Sequence, residues 1–135
     1  MRTQDKLDKV LQAAHSASSA DNSQPWAFEI EGDLVRVCAA PADTTAGPFG
    51  ADSPATLLAI GGVIENLCVA AAHYGLDLRE RSVDAGEQAR GVHFAATVVA
   101  NDARVTPAPE CPVVARHTNR FSYRSEPLGH DALAP

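Results

Sequence analysis

The sequence lacks the residue patterns that mark most metal, nucleotide and hydrolase sites. Its three cysteines, Cys38, Cys68 and Cys111, are widely spaced without a Cys-x-x-Cys pair, and its five histidines include no His-x-x-x-His pair. Neither a disulfide framework nor a zinc site is therefore predicted, and we expect reduced thiols. Gly-x-Gly-x-x-Gly, phosphate-loop and Gly-x-Ser-x-Gly patterns are also missing. Nothing therefore indicates a nucleotide-binding loop or a serine hydrolase.

Positive charge and long unbroken apolar runs are scarce as well. The chain has 11 Lys and Arg residues against 17 Asp and Glu, a net charge of −6, which argues against a nucleic-acid or anionic-membrane surface. Residues 1–6 contain no apolar signal core. The longest apolar run, residues 55–72, is interrupted by Glu65 and Asn66 and predicts a buried helix rather than a membrane span. We expect a soluble cytoplasmic protein without nucleic-acid or membrane partners.

The residues that are present suffice for one domain. A chain of 135 residues with 45% hydrophobic and 21% charged residues can bury a true core but is too short for two domains. We expect residues 1–128 to form this domain and residues 129–135 to form a polar tail.

The spacing of apolar residues predicts both helices and strands. A surface helix is predicted at residues 4–16, and a long central helix from Ser53-Pro54 to about Tyr74, with Gly75 after its end. The remaining segments are strands at 26–30, 34–37, 76–81 and 92–99, turns at 32–33 and 84–86, and a short helical turn at 113–115. The predicted fold class is α+β, with a mixed sheet flanked by the long central helix and smaller helices.

Two features of the long helix require an explanation from its surroundings. Gly61 and Gly62 would each cost roughly 1 kcal/mol of helix propensity relative to alanine, which a close backbone crossing would explain. Glu65 and Asn66 form a buried-looking polar pair on a largely apolar helix. Because buried polar groups need hydrogen-bond partners, we expect this pair at a helix-packing subunit interface.

A polar loop is predicted at residues 18–26, between the first helix and the first strand. It holds serines, Asn22, Gln24 and the only tryptophan, Trp26. Uncharged side chains that both donate and accept hydrogen bonds suit the polar edge of a flat heterocycle. The alternative is a plain helix-to-strand connection, in which a serine closes the helix and Pro25 starts the strand.

The segment 116–124 is the one basic cluster in an acidic chain. It contains three of the eleven Lys and Arg residues, next to His117 and Thr118. Arginine forks pair with phosphate, and hydroxyl groups complete such sites. The alternative is a solvated basic tail.

Both segments resemble the nitroreductase family of FMN-dependent flavoproteins. The run Ser19-x-x-Asn22-x-Gln24-Pro25-Trp26, followed by Phe28, is similar to the flavin-contacting loop of that family, with Ser18 where a proline usually stands. The run Arg116-His117-Thr118-x-Arg120 is similar to its Arg-x-Ser/Thr-x-Arg/Lys motif. The order of the two motifs, with the arginine run last, resembles the order in one branch of the family, in which a single chain carries two nitroreductase-like halves. The likeness covers most of residues 10–128 and corresponds to the N-terminal half, so it implies an incomplete half fold.

This resemblance implies a cofactor and a set of residues that bind it. The cofactor is FMN, with Ser19 and Asn22 at the ring or ribityl chain, Arg116 and Thr118 at the phosphate side, and Arg120 at the pyrimidine edge. Gln24 and His117 belong to the same cofactor-binding motifs, whereas Trp26 is expected to be a packing anchor. No catalytic side chain is assigned.

The resemblance also implies a reaction and a partner. The reaction is hydride transfer from NAD(P)H through FMN to a nitro, quinone or similar acceptor. Family members bind FMN at a two-fold interface, so a homodimer or a second nitroreductase-like half is expected. The alternatives are a non-catalytic protein that sequesters FMN or completes a partner's flavin site, and an interaction module without flavin.

Overall fold

The computed structural model describes residues 2–40, 49–101, 103 and 110–117. The segment 118–135, which includes the predicted polar tail, lies outside this description, as do Met1 and residues 41–48, 102 and 104–109. In chain order the elements are α1 (Thr3–Ala14), a 3-10 turn (Ala20–Asn22), β1 (Trp26–Glu31), β2 (Leu34–Ala39), α2 (Pro54–His73), β3 (Leu76–Glu80), α3 (Ala85–Ala89), β4 (Val92–Ala100) and α4 (Pro112–Ala115). The predicted α+β class is confirmed.

The described strands form one four-stranded sheet in the order β1-β2-β4-β3. All three pairings are antiparallel, so the expected mixed sheet is wrong for this part of the chain. The connections explain why: a two-residue turn joins β1 to β2, and β3 is joined to β4 by residues 81–91. Two-residue turns make antiparallel hairpins, and a parallel pair needs a crossover of about a dozen residues or more.

The core lies between one face of the sheet and the helices α1 and α2. Val35 and Val37 of β2, Val63 and Leu67 of α2, and Val10 of α1 are each fully buried in one hydrophobic cluster. The alternation of β2 places its two valines on the same face, and the helical repeat brings the apolar side of α2 onto them. The predicted central position of the long helix is confirmed.

The start and the end of α2 follow the local sequence signals. The Ser53 hydroxyl accepts a hydrogen bond from the backbone N–H of Thr56 at 3.2 Å, and Pro54 occupies the first helical position. At the other end Gly75 follows the Tyr74 cap with φ of +72°, a left-handed conformation that costs glycine little.

Helix α2 is also long and apolar enough to cross a membrane, by length and composition. Core helices of soluble proteins share these properties. In this structure nine of its residues are buried inside the protein, packed against α1 and the sheet. The helix therefore serves as the core element of the described fold.

The predicted role of the double glycine in α2 is wrong. A side-chain Cβ placed at Gly61 or Gly62 would meet no atom within 4 Å, so no close backbone crossing among the described residues requires either glycine. Glu65 is exposed rather than buried, while its neighbour Asn66 is buried. The helical rotation of about 100° between neighbouring positions separates the members of this pair.

A short helix, α3, forms where the sequence predicted a turn. The Asp84 carboxylate accepts from the backbone N–H of Glu87 at 2.8 Å, and the Glu87 carboxylate accepts from the backbone N–H of Asp84 at 3.2 Å. This reciprocal capping box satisfies two donors at the helix start. It also directs Glu87, which is only 7% exposed, onto the sheet face opposite α2.

Glu87 joins β2 to β3 across the intervening strand β4. Its carboxylate accepts from Arg36 of β2 at 2.9 Å and from Arg81, just after β3, at 2.8 Å. Ala95 of β4 lies between the two arginines, opposite Arg36 and hydrogen-bonded through its carbonyl to the backbone of Arg81. The small alanine leaves room for the carboxylate, and the guanidinium groups of Arg81 and Arg36 hold the pKa of Glu87 well below its usual range.

Replacing Glu87 by glutamine is expected to lower the melting temperature by several degrees near neutral pH, because two cations lose their shared carboxylate. The pKa of Glu87 is lower in the folded than in the unfolded chain, so this stabilisation is present above the ordinary value of 4.5 and is lost as the pH falls below it. Thermal unfolding at about pH 7 and about pH 3 should therefore show a difference that shrinks in acid. Glu80→Gln, at an exposed position in β3, is the control and should show no such change.

Candidate functional site

A groove of about 500 Å³ lies between the segment that follows α1 and the neighbouring side of α2. One wall is formed by residues 17–20, and Arg116 contributes from the segment that follows α4. The other wall is formed by α2 residues Ala55, Leu58, Ala59, Gly62, Glu65 and Asn66. The groove therefore combines three parts of the chain that are far apart in sequence.

The α2 wall of the groove consists mostly of small residues. Ala55, Ala59, Gly62 and Asn66 are spaced by three or four positions and so share one face of the helix. The first three present at most a methyl group, which leaves space beside the helix. This stripe was not predicted from the sequence, where Gly61 and Gly62 were expected to permit a close backbone crossing.

The opposite wall is a well-defined turn rather than an open loop. The Ser19 hydroxyl oxygen accepts a hydrogen bond from the backbone N–H of Gln24 at 2.9 Å. Asp21, Asn22 and Gln24 all adopt positive φ values, between 47° and 55°, in the left-handed region that asparagine and aspartate enter more readily than most residues. Because its oxygen already accepts one hydrogen bond, the Ser19 hydroxyl can still donate to a ligand.

Of the predicted cofactor-binding residues in this turn, the structure places one at the groove and the others away from it. Ser19 lines the groove, whereas Asn22 and Gln24 are exposed and are not among the residues that line it. Trp26 is buried, with 4% exposure, and donates its indole N–H to His15 Nδ1 at 3.2 Å. The prediction that Trp26 is a packing anchor is confirmed.

Arg116 is held at the groove by Ser16, two residues after the end of α1. Its Nη2 donates to the carbonyl oxygen of Ser16 at 2.7 Å, and the Ser16 hydroxyl lies within hydrogen-bond distance of two carbonyl oxygens, that of Ala13 at 2.7 Å and that of Val113 in α4 at 3.0 Å. The contacts of Ser16 with Arg116 and Val113 connect the chain around α4 to the residues just before the polar turn. The remaining N–H groups of the guanidinium can therefore be offered to an anionic group in the groove.

The other residues of the basic cluster do not line the groove in the described part of the chain. His117 is exposed and is not a lining residue. Thr118 and Arg120 lie outside the described residues. Of the five predicted cofactor-binding residues that the structure describes, Ser19 and Arg116 are the two that it brings together on one groove.

The groove is apolar along its walls and polar at a few defined points. Glu65 and Arg116 carry opposite charges on its lining, and the uncharged polar residues there are Ser18, Ser19 and Asn66. Asn66 is 9% exposed, and its Nδ2 has no hydrogen-bond partner among the described residues. A mostly apolar groove with a few placed polar groups is typical of small-molecule and cofactor sites.

The chemistry of these residues can be compared with that of FMN, the cofactor that the resemblance implies. A Cβ at Gly62 would meet nothing within 4 Å, so the space beside this wall is open, and the unpartnered donor of Asn66 would suit a ring acceptor. The guanidinium of Arg116 suits a phosphate. No cluster of three metal-ligating side chains occurs in the described ranges, and none of the three cysteines is a groove-lining residue.

Comparison of the sequence with protein-family models and with curated protein sequences finds no match for this chain.

Proposed function

We propose that this chain binds FMN in the groove and serves as the flavin-holding half of a nitroreductase-type oxidoreductase. The observation that carries the proposal is the meeting of Ser19 and Arg116, from two motifs at opposite ends of the chain, on one groove. The sequence resemblance and the open space beside Gly62 add support. The reaction is hydride transfer from NAD(P)H to a nitro, quinone or similar acceptor.

The residues of the groove would bind and orient the cofactor, while the chemistry belongs to the flavin. When bound, FMN would supply the hydride chemistry between a nicotinamide and an acceptor. Arg116, held in place by Ser16, would bind the phosphate by charge-assisted hydrogen bonds. The Ser19 hydroxyl would donate to the ring or ribityl chain, and the apolar walls at Ala17 and Ala59 would exclude water from the ring.

A second copy of the chain, or a second nitroreductase-like half, is part of this proposal. Leu57 is 45% exposed and Leu58 76% exposed on α2, and Gly61 is exposed on the next turn. Leu58 also lines the groove, so a chain covering this apolar surface would close one side of the cofactor site.

The three cysteines in the described residues are free thiols, which agrees with a cytoplasmic location.

The test is a visible absorption spectrum and a native mass of the purified chain with FMN, followed by an NADPH oxidation assay with a quinone or nitroaromatic acceptor. A yellow dimer that turns over supports the full proposal. A yellow protein without turnover supports the alternative, a non-catalytic protein that sequesters FMN or completes a partner's site. A colourless protein in both monomeric and dimeric fractions would contradict flavin binding and favour an interaction module.

Replacing Arg116 by glutamine is expected to weaken FMN binding by about 10- to 100-fold, because a charge-assisted hydrogen bond to phosphate contributes about 1.5–3 kcal/mol. Riboflavin has no phosphate, so its affinity should be unchanged. Fluorescence titration of both flavins measures the two effects.

Arg79→Gln provides the control for this substitution. Arg79 is exposed in β3 and is not a groove-lining residue, so the same loss of charge should leave both affinities unchanged. Equal weakening of FMN and riboflavin by Arg116→Gln would contradict the phosphate assignment and show that the arginine supports the groove in another way.

A further inference from the structure

Asn66 is the residue on the groove whose polar group the described protein leaves unused. It is 9% exposed in α2, and its Nδ2 has no hydrogen-bond partner among the described residues. A buried amide donor without a partner is unfavourable for the free protein, and such groups are rare unless a ligand or another molecule completes them.

The position of Asn66 shows where such a partner would come from. Asn66 is one helical turn after Gly62, on the small-residue stripe that forms the α2 wall of the groove. Nδ2 itself is buried in the free protein, so donation to a molecule in the groove requires a rotation of the carboxamide, which the broad terminal torsion of asparagine permits. Ala59 and Gly62 offer no polar group that could compete for that molecule.

We propose that Asn66 is a ligand-binding residue that donates a hydrogen bond to an acceptor on the ring of the bound flavin, such as a ring carbonyl oxygen. This inference rests on the proposed function and adds a ring-recognition point to it. Arg116 and Asn66 then bind different parts of the ligand: the guanidinium contacts the phosphate, and the amide contacts the heterocycle. Each of the two contacts can form without the other.

This role predicts that binding and stability respond in opposite directions to one substitution. Asn66→Leu keeps the branched shape of the side chain, although leucine is somewhat larger, and removes a donor that has no partner in the free protein. The melting temperature of the free protein should therefore stay the same or rise, because an unsatisfied polar group has been replaced by an apolar one. The affinity for flavin should fall about five- to tenfold, because the hydrogen bond to the ring is lost.

The experiment compares wild type, Asn66→Leu and Asn66→Asp by flavin fluorescence titration and by thermal unfolding without ligand. Two probes are used: FMN, and lumiflavin, which has the flavin ring without ribityl chain or phosphate. Asn66→Asp keeps the shape of the side chain, removes its donors and buries a carboxylate in their place. It should therefore lower the melting temperature, and it should weaken the binding of both probes as Asn66→Leu does. Asn101→Asp, the same change beyond the end of β4, should leave both affinities unchanged.

The outcomes separate this inference from the proposed function. Wild-type protein that binds neither probe would overturn both. Wild-type binding with unchanged affinity in Asn66→Leu would overturn the role of Asn66 alone, as would a loss seen for FMN but not for lumiflavin. A free Asn66→Leu protein that is unfolded or markedly less stable would also overturn it, because the carboxamide would then be needed for the fold itself.

Discussion

Gly62→Leu is expected to abolish FMN binding, with an increase in Kd of at least about 100-fold, while the protein remains folded. Gly62 lies in the middle of the small-residue wall of the groove, and a Cβ at this position would meet no atom within 4 Å. The added side chain would therefore extend into the space proposed for the flavin ring rather than into the core. Flavin fluorescence titration measures the loss, and circular dichroism verifies the fold.

The neighbouring glycine supplies a matched control. Gly61 is exposed and is not a groove-lining residue. As at Gly62, a Cβ at this position would meet no atom within 4 Å. Leucine at either position removes a glycine from a helix interior and should add up to about 1 kcal/mol of helix stability. Both variants should thus melt at the same or a higher temperature, and Gly62→Leu should be the one that loses flavin.

Two results would change this interpretation. Flavin binding that survives Gly62→Leu would show that the ligand does not occupy the groove. A loss of flavin in Gly61→Leu, together with a change from dimer to monomer in native mass, would show that the exposed surface of α2 must be covered by a second chain before the cofactor binds. The second result would support the proposed partner.

Leu67→Ala should cause the largest loss of stability of the substitutions considered, about 2–5 kcal/mol in the free energy of unfolding. Leu67 is fully buried in the cluster that joins α2 to α1 and the sheet. Its truncation removes apolar contacts and leaves a cavity that the surrounding helices and strands can fill only in part. Urea denaturation followed by circular dichroism measures the change.

Leu58→Ala makes the same chemical change on the exposed side of the same helix. Leu58 is 76% exposed, so its truncation should alter the free energy of unfolding by less than about 0.5 kcal/mol. A comparable loss in both variants would contradict the packing of α2 described here. A loss for Leu58→Ala that grows with protein concentration would instead indicate that a second chain covers this leucine.

Local signals in the sequence were sufficient for most of the elements. Helix α2 begins at Ser53-Pro54 and ends before Gly75, as expected, and the turn at residues 32–33 joins β1 to β2. Each of these signals acts through backbone geometry within a few residues, so the rest of the fold need not be known. The helix α3 was missed because its five residues, Ala85–Ala89, are too few to show an apolar repeat.

The candidate site was predictable only in part. Ser19 and Arg116 could be selected from motif resemblance, and both line the groove. Asn66 was recognised as a polar residue in need of a partner, yet its place on the groove depends on how α2 is rotated against the turn at residues 20–22. That rotation is set by the packing of α2 against α1 and the sheet, and the spacing of residues along the helix does not reveal it.

The amino-acid sequence alone therefore determined most of the described elements of this protein, its α+β class and the central position of its long apolar helix. These properties depend on backbone preferences and on apolar periodicity, which are local. The tertiary structure decided that the sheet is antiparallel, that the double glycine faces open space, and that Arg116 meets Ser16 beside the groove. These properties depend on contacts between segments distant in the chain, since long-range packing brings together residues whose spacing carries no common signal.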